Sequence, residues 1–390
     1  MPSWAKGSLH MNVLVIGSSG FVGRRLSNAL LGVGHRVRCL ARNPEKVQDL
    51  EKAGCEIVKG DISDLASLKL ATATIEAIYI SIHTLSAQSA TVSGRGFMDI
   101  EMKGLENIVN AGKDNGCRRL IYITAMGTSS QARSIWLRER WKAEQFLLNC
   151  NLDVTVLRPA QIVGVGGQGF DMMVASAKRS FAVDLFGTGQ QQMQNIAVDD
   201  LVYYLVGVLR DARSFRQAFN VGCDDILTND QMIDVAADVL GRPHPKKVHL
   251  PRILISLFAP LLESAAKLPK GSVKAILDGA DVPMTGDCLP IREILTRPLE
   301  PYRQAVETAL NTSASLRQQR SDRANDLLAC PRKQDRSCLI AMTNASVIGR
   351  SKVRQTSWST KSVNRRSRSS QKTRLLPCRS FFIYLQKLTH

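Results

Sequence analysis

The 390-residue sequence predicts an α/β fold: a parallel sheet covered by helices on both faces, then a smaller, mainly helical lobe, then a basic tail. Three observations carry this reading. Short β-rich runs alternate with helical patterns over the first 160 residues, and such alternation builds parallel sheets. The first run ends in a glycine turn that opens a helix. Beyond Leu310 the apolar periodicity fades and the composition becomes polar and basic.

The elements follow in order. Asn12–Ile16 is a short apolar run, joined at once to Gly17, Ser18, Ser19, Gly20, Phe21, Val22 and Gly23, after which Val22, Leu26, Ala29, Leu30 and Val33 fall at helical spacing. Arg36–Leu40, Glu56–Lys59, Ala77–Ile82, Arg119–Thr124 and Val154–Leu157 are the next β-rich runs, and long helices are expected within Gly94–Asn115 and Ser134–Asn149. After Arg158 the alternation loosens into a glycine-rich loop, Val163–Phe170, and helices at Asp199–Val208 and Asn229–Leu240. Val-Asp-Asp opens the former, so Asp199 and Asp200 are read as structural or N-capping rather than as paired catalytic carboxylates. The expected division is a nucleotide-binding domain over 11–160, a substrate-side lobe over 161–310 that shares the fold core, and a disordered tail over 311–390.

Composition narrows the function classes. With 44% hydrophobic and 22% charged residues, wholesale disorder, collagen and a polytopic membrane protein are excluded. A net charge of +18 would point to nucleic acid or a membrane surface if it were evenly spread, but residues 311–390 hold +14 of it. The tail reads as solvated, or as translation of a wrong or noncoding frame; RNA binding through its cations, Trp358, Phe381, Phe382 and Tyr384 is the alternative. Nine cysteines without a CxxC pair or a zinc-finger histidine are expected to be reduced and mostly buried, with no metal site. Met1–His10 is too short and polar for a signal peptide, and no run supplies the ~20 apolar residues of a span, so a cytoplasmic protein without a transmembrane segment is expected. Ile253–Leu268, interrupted by Pro260, Glu263 and Lys267, is read as a packed amphipathic helix rather than an interfacial one.

The glycine turn carries the chemistry. Gly17, Gly20 and Gly23 let the backbone approach a pyrophosphate, whose charge the N–H groups and dipole of the next helix stabilise. A nicotinamide dinucleotide is therefore the expected ligand. The second strand ends Cys39-Leu40-Ala41-Arg42, without the acid that holds NAD ribose hydroxyls. Arg42 either pairs with a 2′-phosphate, which favours NADP(H) over NAD(H), or is a solvated loop charge. Asp61, followed by Ile62 at the edge of the third strand, is placed to accept from the adenine amine. No HExxH, Walker lysine or GxSxG is present.

Together GSSGFVG, ARNPEKV, GDIS, LIYITAMG, WKAEQFL, LRPAQIVG, NIAVDDLV and AFNVG resemble the short-chain dehydrogenase/reductase superfamily in its extended and atypical branches, over residues 11 to 310. There the chain resembles NmrA-like proteins and the complex I accessory subunit of the same fold. The resemblance implies a Rossmann-type doubly wound sheet, a nicotinamide cofactor and a substrate cleft under the C-terminal lobe. Active members use a Ser or Thr after the fifth strand and a Tyr-xxx-Lys on the following helix. Thr124 matches the hydroxyl and Lys142 the lysine, but the tyrosine position is Arg138, whose guanidinium does not exchange protons near neutrality. Lys142 then serves catalysis, ribose binding or only a solvated helix face. His83 stands at the sheet edge as an alternative proton donor or as a plain loop histidine. The loop from Gly164 to Gly169 is either a lid or a connection. Two functions follow: an NADP(H)-dependent oxidoreductase passing hydride to an unknown carbonyl, enone or quinone, or a non-catalytic NADP(H)-binding sensor or assembly subunit with a protein partner.

Overall fold

A computed structural model describes residues 10–82, 97–184, 188–250, 252–265, 271–280, 282–313 and 315. His83 lies outside the described residues, as does the tail apart from positions 311–313 and 315. The described residues through Ser313 fall within one compact unit.

The first half runs β1 (Asn12–Ile16), α1 (Phe21–Gly32), β2 (Arg36–Ala41), α2 (Gln48–Ala53), β3 (Glu56–Lys59), α3 (Leu65–Thr72), β4 (Ala77–Ile80), α4 (Phe97–Asp114), β5 (Arg119–Ile123), α5 (Ile135–Leu148) and β6 (Asp153–Pro159). The second half runs β7 (Ile162–Val163), α6 (Gln168–Ala177), β8 (Phe181–Asp184), β9 (Gln192–Gln194), β10 (Ile196–Ala197), α7 (Val198–Gly207), β11 (Gln217–Val221), β12 (Ile226–Thr228), α8 (Asn229–Val239), β13 (Lys246–His249), α9 (Arg252–Ala265), α10 (Ser272–Gly279) and α11 (Leu289–Ile294). A further helix spans 302–313.

Seven strands form one sheet in the order β11-β6-β5-β4-β1-β2-β3, and every pairing in it is parallel. The order reverses at β1, which pairs with β2 on one side and β4 on the other. Their connections leave in opposite directions there and open a crevice at the carboxyl edge.

Strand periodicity sorts the core. Val13 and Val15 join one apolar cluster with Leu26 and Leu30 of α1 and Leu201 and Leu205 of α7. Leu14 and Ile16 point the other way, into a cluster with Leu68 of α3, Leu105 and Ile108 of α4, and Ala143 and Leu147 of α5. All four β1 residues are at most 2% exposed, because a sheet covered on both faces leaves neither side of a strand to water.

The lobe after β6 is mainly helical, as expected, and also carries short strands. Three two-stranded sheets, β10-β7, β12-β9 and β13-β8, stand among its helices. Moreover β11 returns to the main sheet beside β6, with Phe219 level with Leu157. Asp199 and Asp200 do not cap α7: Ala197 is its N-cap, with no side-chain bond, and both acids lie in the first turn. Asp200 is buried instead, accepting from the Glu300 amide at 2.9 Å and pairing with Arg297 at 3.0 Å. It is a structural anchor for the segment before the 302–313 helix, and burial raises its carboxyl pKa. Within the Ile253–Leu268 prediction, α9 packs on α10 with Ile255 buried, but Ile253, Leu257, Phe258 and Leu261 are exposed. No helix among the described residues is long and apolar enough to cross a membrane. Cys39, Cys55, Cys117, Cys150, Cys223 and Cys288 are free and buried, as their composition-based reading expects; Cys330, Cys338 and Cys378 lie outside the described residues.

Candidate functional site

The glycine turn sits at the crevice where the strand order reverses. Gly17 has φ +92°, and a Cβ there would stand 2.0 Å from the Ser81 carbonyl oxygen, so β1 and the end of β4 close together only with glycine. A Cβ at Gly23 would come 2.2 Å from the Gly17 oxygen, which fixes how near α1 approaches the turn. Gly20 is different. It is exposed, and its built Cβ meets only the Gly17 oxygen at 3.1 Å, so the missing side chain leaves room outside the protein. Gly20 is the N-cap of α1, no side chain caps that helix, and its first turn has no acid. The leading amides and the positive end of the dipole therefore face the crevice, which is the arrangement an anionic diphosphate requires. Ser18 and Val22 are buried in the turn, Phe21 is half-buried, and Ser19 is exposed.

Phe21 holds the turn against the glycine-rich loop. Arg25 stacks its guanidinium 4.5 Å above the Phe21 ring and donates to the Val165 carbonyl at 2.7 Å. A Cβ on Gly167 would come 3.0 Å from the same ring. Gly164 and Gly167 thus serve close packing on Phe21.

A second group gathers at the carboxyl ends of β2 and β3. Arg42, Lys59, Gly60, Asp61, Asp64 and Ser67 line an open pocket of about 380 Å³. Arg42 Nε stands 3.9 Å from Asp61 Oδ2, and Asp61 Oδ1 accepts from the Ser63 amide and hydroxyl at 2.8 and 2.7 Å. Lys59 is absent from the sequence-based reading. Its signal was the strand register, since Ala41 and Lys59 are level across the parallel pair and set the lysine beside Arg42. Asp64 takes part as the N-cap of α3, accepting from Ala66 N at 3.0 Å. Ile62 does not line this pocket: its side chain crowds Gly104 of α4, and its carbonyl accepts from Asn107 at 2.9 Å.

At the end of β5, Thr124 is 9% exposed, and its hydroxyl has no hydrogen-bond partner among the described residues. The following Ala125 packs with Trp136 and Leu137 at the start of α5. This contact sets the rotational phase of that helix. Its buried residues are Leu137, Arg140, Ala143, Glu144 and Leu147. Arg138 and Lys142 lie about 100–140° from Leu137 around the axis, nearly opposite the centre of the buried face. Arg138 instead donates to the carbonyls of Ala132 and Arg133 at 2.6 and 2.9 Å. Lys142 is 59% exposed and pairs with Glu139 at 2.7 Å. The ionisable groups that α5 turns inward are Arg140 and Glu144, one turn apart, with Trp136 one turn before them.

Both charges are paired, although Arg140 Nε has no hydrogen-bond partner among the described residues. Arg140 is 1% exposed, donates to the Tyr122 hydroxyl at 2.8 Å and pairs with Glu101 of α4 at 3.0 Å. Tyr122 donates in turn to Glu101 at 2.6 Å, and burial holds its phenol pKa well above the usual range. Glu144 accepts from Thr128 at 2.8 Å and from Arg158 Nε at 2.9 Å. Arg158 thus orients an α5 carboxylate rather than facing the crevice alone. A phenol with raised pKa locked between two charges is a structural donor.

Residues 17–180 match the NAD(P)H-binding family. The chain is 25% identical over 244 residues to NADH dehydrogenase [ubiquinone] 1 alpha subcomplex subunit 9, mitochondrial, of Arabidopsis thaliana, covering 61% of this chain and 60% of that protein. It is 28% identical over 148 residues to photosystem II assembly factor Ycf39 of Cyanophora paradoxa, covering 38% of this chain and 44% of that one. The chain thus spans less than two thirds of the length of these curated relatives. The solved structure of the NADPH-dependent quinone oxidoreductase QOR2 from Escherichia coli, complexed with NADPH, aligns with a TM-score of 0.60 at 18% identity over 76% of this chain and 99% of that one, a likeness of fold.

Proposed function

From the match of residues 17–180 to the NAD(P)H-binding family, we propose that the protein binds NADP(H) in the β1–α1 crevice as an oxidoreductase-like protein whose hydride acceptor would be a carbonyl, enone or quinone. The observation that carries this is the uncapped start of α1 behind the exposed Gly20. The turn from Gly17 to Gly23 would hold the pyrophosphate, while Arg42 and Lys59 would meet a 2′-phosphate, with Asp61 toward the adenosine end. Thr124 offers an unpartnered hydroxyl at the opposite end of the crevice. A bound nicotinamide supplies the hydride, and the chain supplies position and charge.

A second reading is a non-catalytic NADP(H)-binding sensor or assembly subunit. It is favoured by α5, which presents Trp136 and an ion-paired Arg140 toward the sheet where a proton donor and its lysine would be required. NADPH titration alongside an oxidation assay against carbonyls, enones and quinones separates the two. Turnover supports the first, binding without turnover supports the second, and no binding at all refutes both.

Two substitutions test the residue assignments. Arg42→Ala is expected to weaken NADPH by about 1.5–3 kcal/mol relative to NADH, since only NADPH presents the 2′-phosphate. An equal loss for both dinucleotides removes Arg42 from the site. Lys142→Ala is expected to leave NADPH affinity within about twofold, because its salt bridge is a solvated surface pair. A tenfold loss measured by the same titration would return Lys142 to ribose binding.

A further inference from the structure

We infer that α9 is a membrane-docking helix, which lays its apolar face into the headgroup region of an anionic lipid bilayer. Ile253, Leu257, Phe258 and Leu261 are 76%, 70%, 56% and 61% exposed. At 100° per residue, Ile253, Leu257 and Leu261 form one stripe and Phe258 widens it. Among the side chains described between Ile253 and Ser264, Ser256, Pro260 and Ser264 are the other exposed ones. The single charged residue in that stretch, Glu263, is turned inward, 8% exposed and accepting from the Val273 amide at 3.0 Å. With Ile255, which is 4% exposed, it marks the side that packs on the protein. The outward arc therefore presents four large apolar side chains and no charge, a face that water disfavours and that a monomeric protein seldom leaves contiguous.

Charge selects the occupant. Residues 246–279 contain six Lys and Arg against two acids, Glu263 and Asp278, and Lys247 is paired with Asp234 at 2.5 Å. Lys246 on β13 and Lys274 on α10 are exposed. An apolar helical face flanked by cations is the pattern that binds interfacially to anionic lipid, with the apolar side chains buried at the acyl boundary and the cations among the headgroups. A second copy of this chain would bring the same positive flanks against these, which opposes self-association through this face.

Full-length protein is sedimented with vesicles of phosphatidylcholine and phosphatidylglycerol at 3:1, in 0.15 M and in 0.5 M NaCl. High salt screens attraction by the basic tail but leaves apolar insertion intact. The parent is expected to bind at both concentrations, and Leu257→Asp/Leu261→Asp to lose the salt-resistant binding by at least about tenfold. Phe258→Ser gives a milder loss and serves if the double variant unfolds; an unchanged melting temperature establishes that the altered chain is folded. Lys274→Glu should weaken binding at 0.15 M NaCl but not at 0.5 M. The inference is overturned if the parent shows no salt-resistant binding or if both apolar variants bind like the parent. It is equally overturned if the parent is a dimer that these substitutions dissociate without altering vesicle binding.

Discussion

Glu101→Ala is expected to destabilise the protein by about 3–5 kcal/mol, because it leaves the Arg140 guanidinium buried beside a neutral phenol. Arg140 lies between α4, α5 and β5, with Glu101 3.0 Å away and Tyr122 as its other partner. Burial works against its charge, and Glu101 and Tyr122 outweigh that, so its pKa lies above the usual guanidinium value. Stability of a folded domain is about 5–15 kcal/mol, so the loss is a large share of the total. Denaturant midpoints at constant slope measure it. Glu101→Leu with Arg140→Met should recover much of the loss, since an apolar pair carries no desolvation penalty. A change below about 1 kcal/mol in the single variant would mean that water reaches Arg140.

Gly20→Asp is expected to weaken both NADPH and NADH by at least about a hundredfold, or roughly 3 kcal/mol, while leaving the fold in place. The new side chain projects into the crevice, and its carboxylate opposes the charge that the α1 dipole favours. Its Cβ meets only the Gly17 oxygen, at 3.1 Å, so the turn needs only a slight shift to hold it. Gly17→Ala is the contrasting variant, because its Cβ would overlap the Ser81 carbonyl at 2.0 Å and should reduce stability as well as binding. Dinucleotide titration with parallel thermal melts distinguishes the two effects. Parent-like affinity in folded Gly20→Asp would place the dinucleotide elsewhere.

Much of this protein is legible from short-range pattern. A two-residue period and apolar runs mark the sheet strands from β1 to β6, and the turn from Gly17 to Gly23 stands out because backbone approach and a positive φ leave few alternatives to glycine. The concentration of charge in residues 311–390 is likewise plain from composition. Tertiary structure decided what depends on distant segments. Whether Gln217–Val221 joins the main sheet depends on the exposed edge of β6, which only the completed sheet provides. Lys59 becomes a neighbour of Arg42 through parallel register, not through proximity along the chain. The motif spacing places Arg138 and Lys142 on one side of α5 without saying which side faces the protein, and a two-residue change of phase rotates a helix by about 200°. Packing of Trp136 and Leu137 on Ala125, and of Arg140 on Tyr122 and Glu101, fixes that phase. The same holds for α9, where sequence supplies an apolar helix but only the completed lobe leaves most of its apolar arc without protein to cover it.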